Sequence, residues 1–351
     1  MLNFEAGDRL RGAANRIAEA ALARDYAQRP YLADRYGEYG KMRYRQDVLY
    51  NLAALAAALD AHEERMFLDY VAWLKIVLLH RGVGPDDIAE SLRCMKLAIE
   101  ADAPRGEHLL ALALLDSAFR QLDAMPDRVV SYLAKPSEEH ALARGFLEAL
   151  LCLDTGAARE IVESALDAGM PLLQVYTEVI PPLMREIGRL WQRNEISVAH
   201  EHFCSAAVES IVSGFYRRIL GSRQPCERSM MVVCVEGEQH ELGARVVADV
   251  FELNGWRTSF LGANLPQRDL VTLMKEAQPD LIALSAAMPN HLVKLASTID
   301  AVRDASNIPI IVGGYLFSGS PDLAERLGAD GHAADAASAL GVADALVGRH
   351  V

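Results

Sequence analysis

The chain has 351 residues, a length typical of two or three domains. Hydrophobic residues make up 51% of it and charged residues 24%, which allows sizeable cores and excludes an intrinsically disordered protein. The net charge of −13 argues against a nucleic-acid-binding surface, because phosphate contacts need clustered Lys and Arg, so we expect no nucleic-acid partner.

The first region, residues 1–135, has apolar residues at helical spacing and no strand pattern. Before the predicted helices of this region lies a stretch rich in Tyr and Arg, residues 31–46, which contains two glycines. We predict an all-helical domain, and it lacks the short helix-turn-helix pattern of a DNA-binding domain. The predicted helices cover residues 47–62, 65–80, 84–99 and 103–126.

The second region begins after Pro136 and again has the spacing of amphipathic helices. Gly169 is placed to end a helix and Ser197 to begin one. Four helices with short joints predict a compact four-helix bundle over residues 137–220. The predicted helices cover residues 138–153, 156–169, 171–194 and 197–220.

From Met230 onward, short apolar and β-branched runs alternate with helical patterns. Five such units predict a flavodoxin-like, doubly wound parallel sheet over residues 229–351, so that the fold class is multidomain α and α/β. The predicted strands cover residues 230–235, 257–262, 281–286, 308–314 and 329–334. The predicted helices lie near residues 241–254, 266–277, 291–304, 321–327 and 335–347.

Three loops of this domain follow predicted strands, "EGEQHELG", "SAAMPN" and "GGYLFSG", and ligands of such sheets bind at the carboxyl ends of the strands. The first loop places Glu238 two residues before His240, a good metal-ligand pair because the acid can hold one ring nitrogen while the other binds metal. One histidine cannot hold a free metal ion, so we expect the metal inside a larger cofactor. For an isolated Glu-x-His, the alternative is a solvated loop.

The motif resembles the D-x-H-x-x-G, S-x-L and G-G signature of the cobalamin-binding domains of methionine synthases, mutases and corrinoid proteins. Glu238 replaces the aspartate and Ala287 the leucine of that signature. The resemblance implies that His240 is the lower axial ligand of cobalt and that Glu238 hydrogen-bonds to it. It further implies a pocket for the nucleotide tail of the cofactor, lined by Ser285, Gly313 and Gly314, while Gly243 lets the next helix start close to the cofactor-binding loop.

The bundle also carries Trp191, Glu201 and His202 at a spacing that resembles adenosylcobalamin-dependent light-sensing repressors. That resemblance implies that Trp191 and Glu201 surround the adenosyl group. It makes His202 the candidate upper cobalt ligand after illumination. The alternative is a core tryptophan and a solvated acid–histidine pair.

The layout of the whole chain resembles the photocobilins, which pair cobalamin with a bilin in a globin-like helical domain. The resemblance implies that residues 1–135 bind a bilin such as biliverdin. Each candidate residue has a structural alternative, as a surface-loop residue or a satisfied helix residue. The candidates are Arg35, Arg43 and Arg45 for propionates, Tyr36, Tyr39, Tyr44 and Trp73 for the flat walls, His80 and His108 for pyrrole nitrogens, and Cys94 for a thioether.

We therefore predict a photoreceptor that binds adenosylcobalamin, with a bilin as second chromophore, and not an enzyme. The alternatives are a corrinoid carrier for methyl transfer and a cobalamin sensor without photochemistry. We expect a homo-oligomer that acts on a protein signalling partner. Five cysteines without C-x-x-C spacing, no apolar signal segment and no run of about 18 apolar residues predict a cytoplasmic protein without membrane contact.

Overall fold

A computed structural model describes residues 2, 4–102, 108–222, 226–320 and 322–348. The chain divides into two compact units, Met1–Arg128 and Val129–Val351. This division lies before the predicted boundary at residues 136 and 137. Residues just before that boundary belong to the second unit because Ser131 Oγ and Tyr132 N donate to the Glu186 carboxylate over 3.0 and 2.9 Å.

The first unit is helical, as predicted. Helix α1 was not predicted, because its inner face is built largely of alanines; Leu10, Ala13 and Ile17 nevertheless recur at helical spacing and are buried. The Tyr- and Arg-rich stretch belongs to α2 and is interrupted at Gly37, which has φ 59° and ψ −161°. The helices are α1 (Glu5–Gln28), α2 (Tyr31–Ala61), α3 (Glu64–Leu79), α4 (Pro85–Asp102) and α5 (Leu109–Gln121); the predicted start of the last, residues 103–107, lies outside the described residues.

The second unit begins with the helices of the predicted bundle, residues 138–222, which are called the cap from here on. Ser197 Oγ accepts from His200 N at the start of α10, and Gly169, with φ 105°, follows the end of α7. The predicted helices over 171–194 and 197–220 are each interrupted, the first by a π-helical turn at Val175–Val179. The helices are α6 (Glu138–Leu151), α7 (Thr155–Asp167), α8 (Leu172–Gln174), α9 (Ile180–Gln192), α10 (Val198–Gly214) and α11 (Tyr216–Ser222).

The rest of the second unit is the predicted five-stranded parallel sheet. Its strands are β1 (Ser229–Cys234), β2 (Arg257–Phe260), β3 (Leu281–Ser285), β4 (Ile310–Gly313) and β5 (Gly331–Ala333), in the order β2-β1-β3-β4-β5. This is the flavodoxin-like order. The helices are α12 (Leu242–Leu253), α13 (Gln267–Ala277), α14 (Leu292–Ala305), α15 (Leu323–Arg326) and α16 (Ala336–Val347).

Helix α12 joins the cap to the sheet, because Val246 and Val250 of α12 share one hydrophobic core with Val175 and Phe215 of the cap. The same helix begins two residues after His240. The cap is therefore packed on the element that follows the predicted ligand loop. Among the described residues, no helix has the length and apolar character needed to cross a membrane.

Candidate functional site

The strand register brings the three predicted loops to one edge of the sheet. Cys234 of β1 pairs with Ser285 of β3, and Ser285 pairs with Gly313 of β4. All three residues end their strands, so the loops that follow them start side by side. The edge lies at the β1/β3 boundary, where the strand order reverses and where ligands of such sheets bind.

Glu238 is the centre of this edge and is completely buried. Its Oε1 lies 2.9 Å from the His240 amide nitrogen and 2.6 Å from His240 Nδ1. Its Oε2 lies 2.6 Å from the Ala287 amide nitrogen and 2.9 Å from His291 Nδ1. Burial by itself raises the pKa of the Glu238 carboxyl, but these hydrogen bonds to the charged form hold the pKa well below its usual range.

An ionised carboxylate only accepts hydrogen bonds, so Nδ1 of His240 and Nδ1 of His291 both carry protons. In neutral His240 the lone pair is then on Nε2, the ring atom that binds metal in such pairs. The His240 side chain is 66% exposed. The hydrogen bond to Glu238 raises the pKa of His240, although burial lowers it. The negative charge of Glu201 on the cap also raises this pKa.

The loop that carries Glu238 is fixed by Asn264, which follows β2. The Asn264 side-chain oxygen accepts from Gly237 N over 2.8 Å, and the Asn264 backbone N–H donates to the Glu238 carbonyl oxygen over 2.9 Å. Gly237 has φ 91°, a conformation that glycine adopts without strain. Two loops therefore hold the buried carboxylate in one position.

The glycines of the motif have different surroundings. A Cβ at Gly243 would meet no atom within 4 Å, so the first turn of α12 borders open space beside His240. A Cβ at Gly314 would lie 2.3 Å from the Ala286 carbonyl oxygen, and one at Gly313 would lie 3.1 Å from the Ala333 carbonyl oxygen. The resemblance implies that Gly313 and Gly314 line a pocket, and the structure adds close backbone packing as a reason for both glycines.

On the cap, Glu201 lies in the first turn of α10 and His202 follows it. Glu201 Oε1 accepts from Ser205 Oγ over 2.7 Å, and Glu201 Oε2 lies 3.0 Å from His202 Nδ1. The His202 side chain is 75% exposed. Trp191 is half-buried at the end of α9. The cap thus presents an acid to His240 and an accessible histidine beside that acid.

Sequence reasoning missed His291 and Asn264. The "SAAMPN" segment was recognised as a converging loop, and His291 is the residue after it. The sequence signal for His291 was its position directly after the loop that follows β3, because this loop converges with the Glu-x-His loop. Nothing in the sequence marks Asn264, because its role depends on the fold of two loops.

In the first unit, several proposed bilin residues already contact protein groups. Arg45 Nε lies 2.5 Å from Glu19, Arg35 lies 3.9 Å from Asp87, and His80 Nδ1 lies 2.9 Å from the Ile76 carbonyl. His108 is buried, and its Nε2 lies 3.8 Å from Asp102. The Tyr44 ring packs edge-on against Tyr26. The remaining candidates have exposed side chains: Arg43, Tyr36, Tyr39 and Trp73.

Cys94 is fully buried, and burial raises the pKa of its thiol to about 12. At neutral pH the sulfur is therefore a thiol, which is a poor nucleophile for a thioether.

Comparison with known proteins divides the second unit in the same way, into the helical cap and the parallel sheet. Residues 228–341 match a family model described as a B12 binding domain, and residues 142–213 match a second model with the same description. The HTH-type transcriptional repressor CarH of Myxococcus xanthus is 28% identical over 221 residues, 62% of this chain and 72% of the repressor. Trimethylamine corrinoid protein 1 of Methanosarcina acetivorans is 26% identical over 202 residues, 55% of this chain and 91% of that protein.

The fold has a solved counterpart in the monomethylamine corrinoid protein of Methanosarcina barkeri. That structure superposes with a TM-score of 0.51 at 20% identity, over 58% of this chain and 98% of the other. The chain therefore carries B12 binding domains, formed by the cap and the parallel sheet, and is related to HTH-type repressors and to methylamine corrinoid proteins.

Proposed function

We propose that the protein is a cobalamin-dependent photoreceptor, which holds adenosylcobalamin between the cap and the His240 loop. The observation that carries the proposal is the Glu238–His240 contact of 2.6 Å, made by a buried carboxylate to an accessible imidazole. This pair leaves Nε2 as the ring nitrogen for cobalt, and a metal carried inside a corrin ring needs one such protein ligand.

The residues of the site fit the group. His240 would bind the cobalt of the cofactor through Nε2, and Glu238 would orient the imidazole ring and make it more basic. Open space at Gly243 leaves room beside the ligand. Ser285, Gly313 and Gly314 are the proposed contacts of the nucleotide tail; the two glycines would offer backbone rather than a cavity.

On the cap side of the cofactor, Trp191 and Glu201 would be the neighbours of the adenosyl group. The cofactor supplies a cobalt–carbon bond that light breaks. Trp191 would pack on the adenosyl group in the dark, because a half-buried indole offers a large apolar contact. His202, which is 75% exposed beside Glu201, is the side chain proposed to take the upper position in the illuminated protein.

A corrinoid carrier for methyl transfer is the second candidate. The similarity to trimethylamine corrinoid protein 1 favours it, since that match covers 91% of the carrier. The same Glu238–His240 pair serves both functions, so the lower face does not discriminate between them. The upper face does, because a methyl group needs neither Trp191 nor a replacement ligand. A third candidate, a sensor without photochemistry, shares the site and differs in its response to light.

For the first unit, bilin binding and a globin-like fold remain proposals that rest on the resemblance to photocobilins. The candidates with exposed side chains are the aromatic residues Tyr36, Tyr39 and Trp73 and the cation Arg43. Arg35 and Arg45 would have to leave Asp87 and Glu19 to bind propionates. Homo-oligomerisation and a protein signalling partner likewise remain proposals, and sedimentation in the dark and after illumination would test the first.

The test is reconstitution of the purified protein with adenosylcobalamin in the dark, followed by absorption spectra before and after green light. The proposal expects a lasting change in the wild-type spectrum and a different end spectrum in His202→Ala. An adenosyl form unaffected by light, together with methyl transfer to a thiol acceptor, would favour the carrier. Trp191→Ala is expected to reduce the preference for adenosylcobalamin over methylcobalamin.

A further inference from the structure

The cap contains a break in its helices that the B12 binding function does not explain. Between α8 and α9 the backbone forms a π-helical turn over Val175–Val179. Pro181 and Pro182 follow after Ile180, and each lacks the N–H that would continue the α-helical ladder toward Thr177 and Glu178. Single π-helical turns relieve such conflicts and occur frequently at functional sites.

The π-helical turn directs one polar side chain into the core between cap and sheet. Tyr176 is fully buried, and its hydroxyl donates to Asp249 Oδ2 of α12 over 2.8 Å. Asp249 is 4% exposed, and its Oδ1 accepts from Arg245 Nε over 3.0 Å. The Tyr176 ring also packs edge-on against Phe215, with ring centres 6.2 Å apart.

This polar pair lies inside an otherwise apolar interface, where Val175 and Val179 of the cap share a core with Val246 and Val250 of α12. Apolar packing alone tolerates small sliding movements, whereas a buried hydrogen bond has one favourable geometry. Separation of the pair would leave a buried carboxylate oxygen without its donor. Burial raises the pKa of both Asp249 and Tyr176, which reflects the cost of charge in this environment.

The pair connects the two faces of the proposed cofactor site. Asp249 lies on α12, which begins just after His240, and Tyr176 lies directly before α9, which ends at Trp191 and Gln192. Both helices are rigid elements, so the relative position of Tyr176 and Asp249 sets the separation between Trp191 and the His240 loop. We infer that the Tyr176–Asp249 hydrogen bond is a latch that positions the cap over the cofactor and thereby determines which upper ligand the site accepts. The part concerning upper ligands rests on the proposed function; the latch itself does not.

The experiment compares Tyr176→Phe with Tyr216→Phe in the full-length chain. Tyr216 is a matched control, because it also reaches from the cap to a carboxylate of α12, Glu252, but over 3.4 Å and with the residue 42% exposed. In the apoprotein, amide hydrogen exchange over residues 175–192 is expected to accelerate about five- to 150-fold in Tyr176→Phe, the range for an unsatisfied buried acceptor. Tyr216→Phe should leave this exchange within about twofold of the wild type. Equal exchange in the two variants would overturn the latch.

A second readout separates positioning from packing. The ratio of the affinities for adenosylcobalamin and hydroxocobalamin is expected to fall at least about fivefold in Tyr176→Phe, because the same hydrogen bond holds the cap in register. The double variant Tyr176→Phe with Asp249→Leu removes the buried acceptor, and Arg245, whose side chain is 27% exposed, can turn its guanidinium to solvent, so protection from exchange should return while the affinity ratio stays low. If Tyr176→Phe alone fails to fold, the affinity ratio is measured in the double variant instead. If both the protection from exchange and the affinity ratio return to the wild-type values, the pair contributes only packing and the inference is overturned. If the wild type binds neither cobalamin, the proposed function fails and the exchange comparison alone decides the latch.

Discussion

Glu238→Gln tests the buried carboxylate on which the proposed site depends. The carboxylate has four contacts within 3.0 Å, two at each oxygen. In the variant, one of the two carboxylate oxygens becomes an NH2 group. That group faces either the His240 N–H and His240 Nδ1–H or the Ala287 N–H and His291 Nδ1–H, so two donors lose their acceptor. At about 1.5 kcal/mol for each hydrogen bond to a charged group, the lower end of the usual range, the apoprotein should lose about 3 kcal/mol of unfolding free energy.

The control is Glu236→Gln in the same loop. Glu236 pairs with Lys294 over 2.9 Å, but both side chains are about half exposed, at 42% and 51%. Such a surface ion pair contributes about 0–1 kcal/mol. The two variants remove the same charge two residues apart, so their difference isolates burial and hydrogen bonding.

The assay is urea unfolding followed by tryptophan fluorescence in a Trp73→Phe background. Of the three tryptophans, Trp191 and Trp256 then report on the second unit alone. Cobalamin affinity should also fall about 10- to 100-fold in Glu238→Gln, as for other groups that orient a ligand histidine. If Glu238→Gln unfolds within 0.5 kcal/mol of Glu236→Gln, a threshold of about the usual surface effect, the reasoning from the buried hydrogen bonds is refuted.

Three further predictions use other contacts. His291→Ala should weaken cobalamin binding less than His240→Ala, since His291 contacts the carboxylate at 2.9 Å without being a proposed ligand, and titrations of the two variants would rank them. Burial raises the pKa of Glu186, but hydrogen bonds from Arg189, Tyr132 and Ser131 lower it below 4.5, so Glu186→Gln should cost about 1–3 kcal/mol at pH 7. That difference should disappear as the pH falls from 4.5 through the lower pKa of the folded protein, which urea unfolding at several pH values would show. A red-absorbing band after co-expression with a biliverdin source should vanish on deletion of residues 1–135 and be released by acid, because Cys94 is a buried thiol; a colourless protein would contradict bilin binding.

The sheet was predictable because its strands are short apolar runs bounded by polar loops. In β1, Met230 to Cys234 are all at most 1% exposed, so both faces of the strand are apolar and the run reads clearly in the sequence. Helical spacing of apolar residues gave the starts of α6, α7 and α10 to within one residue. It did not give α1, whose apolar face consists mainly of alanines that also suit exposed positions.

The parts that sequence reasoning missed depend on contacts between distant segments. The Pro181–Pro182 pair was included in one long helix, although it forces the π-helical turn that turns Tyr176 toward Asp249. The carbonyl oxygen that approaches Gly314 belongs to Ala286, which directly follows β3 and is 28 residues earlier in the chain. Such an approach has no local sequence signal.

The central claim is that His240 holds a light-sensitive cobalamin beneath the cap. The most direct measurement is the visible absorption spectrum of the adenosylcobalamin-reconstituted protein in the dark and after green light, for the wild type and for His240→Ala. The account predicts a bound, light-responsive spectrum in the wild type and a weakly bound cofactor with an altered dark spectrum in His240→Ala. Identical affinity and identical dark spectra in the two proteins would contradict it.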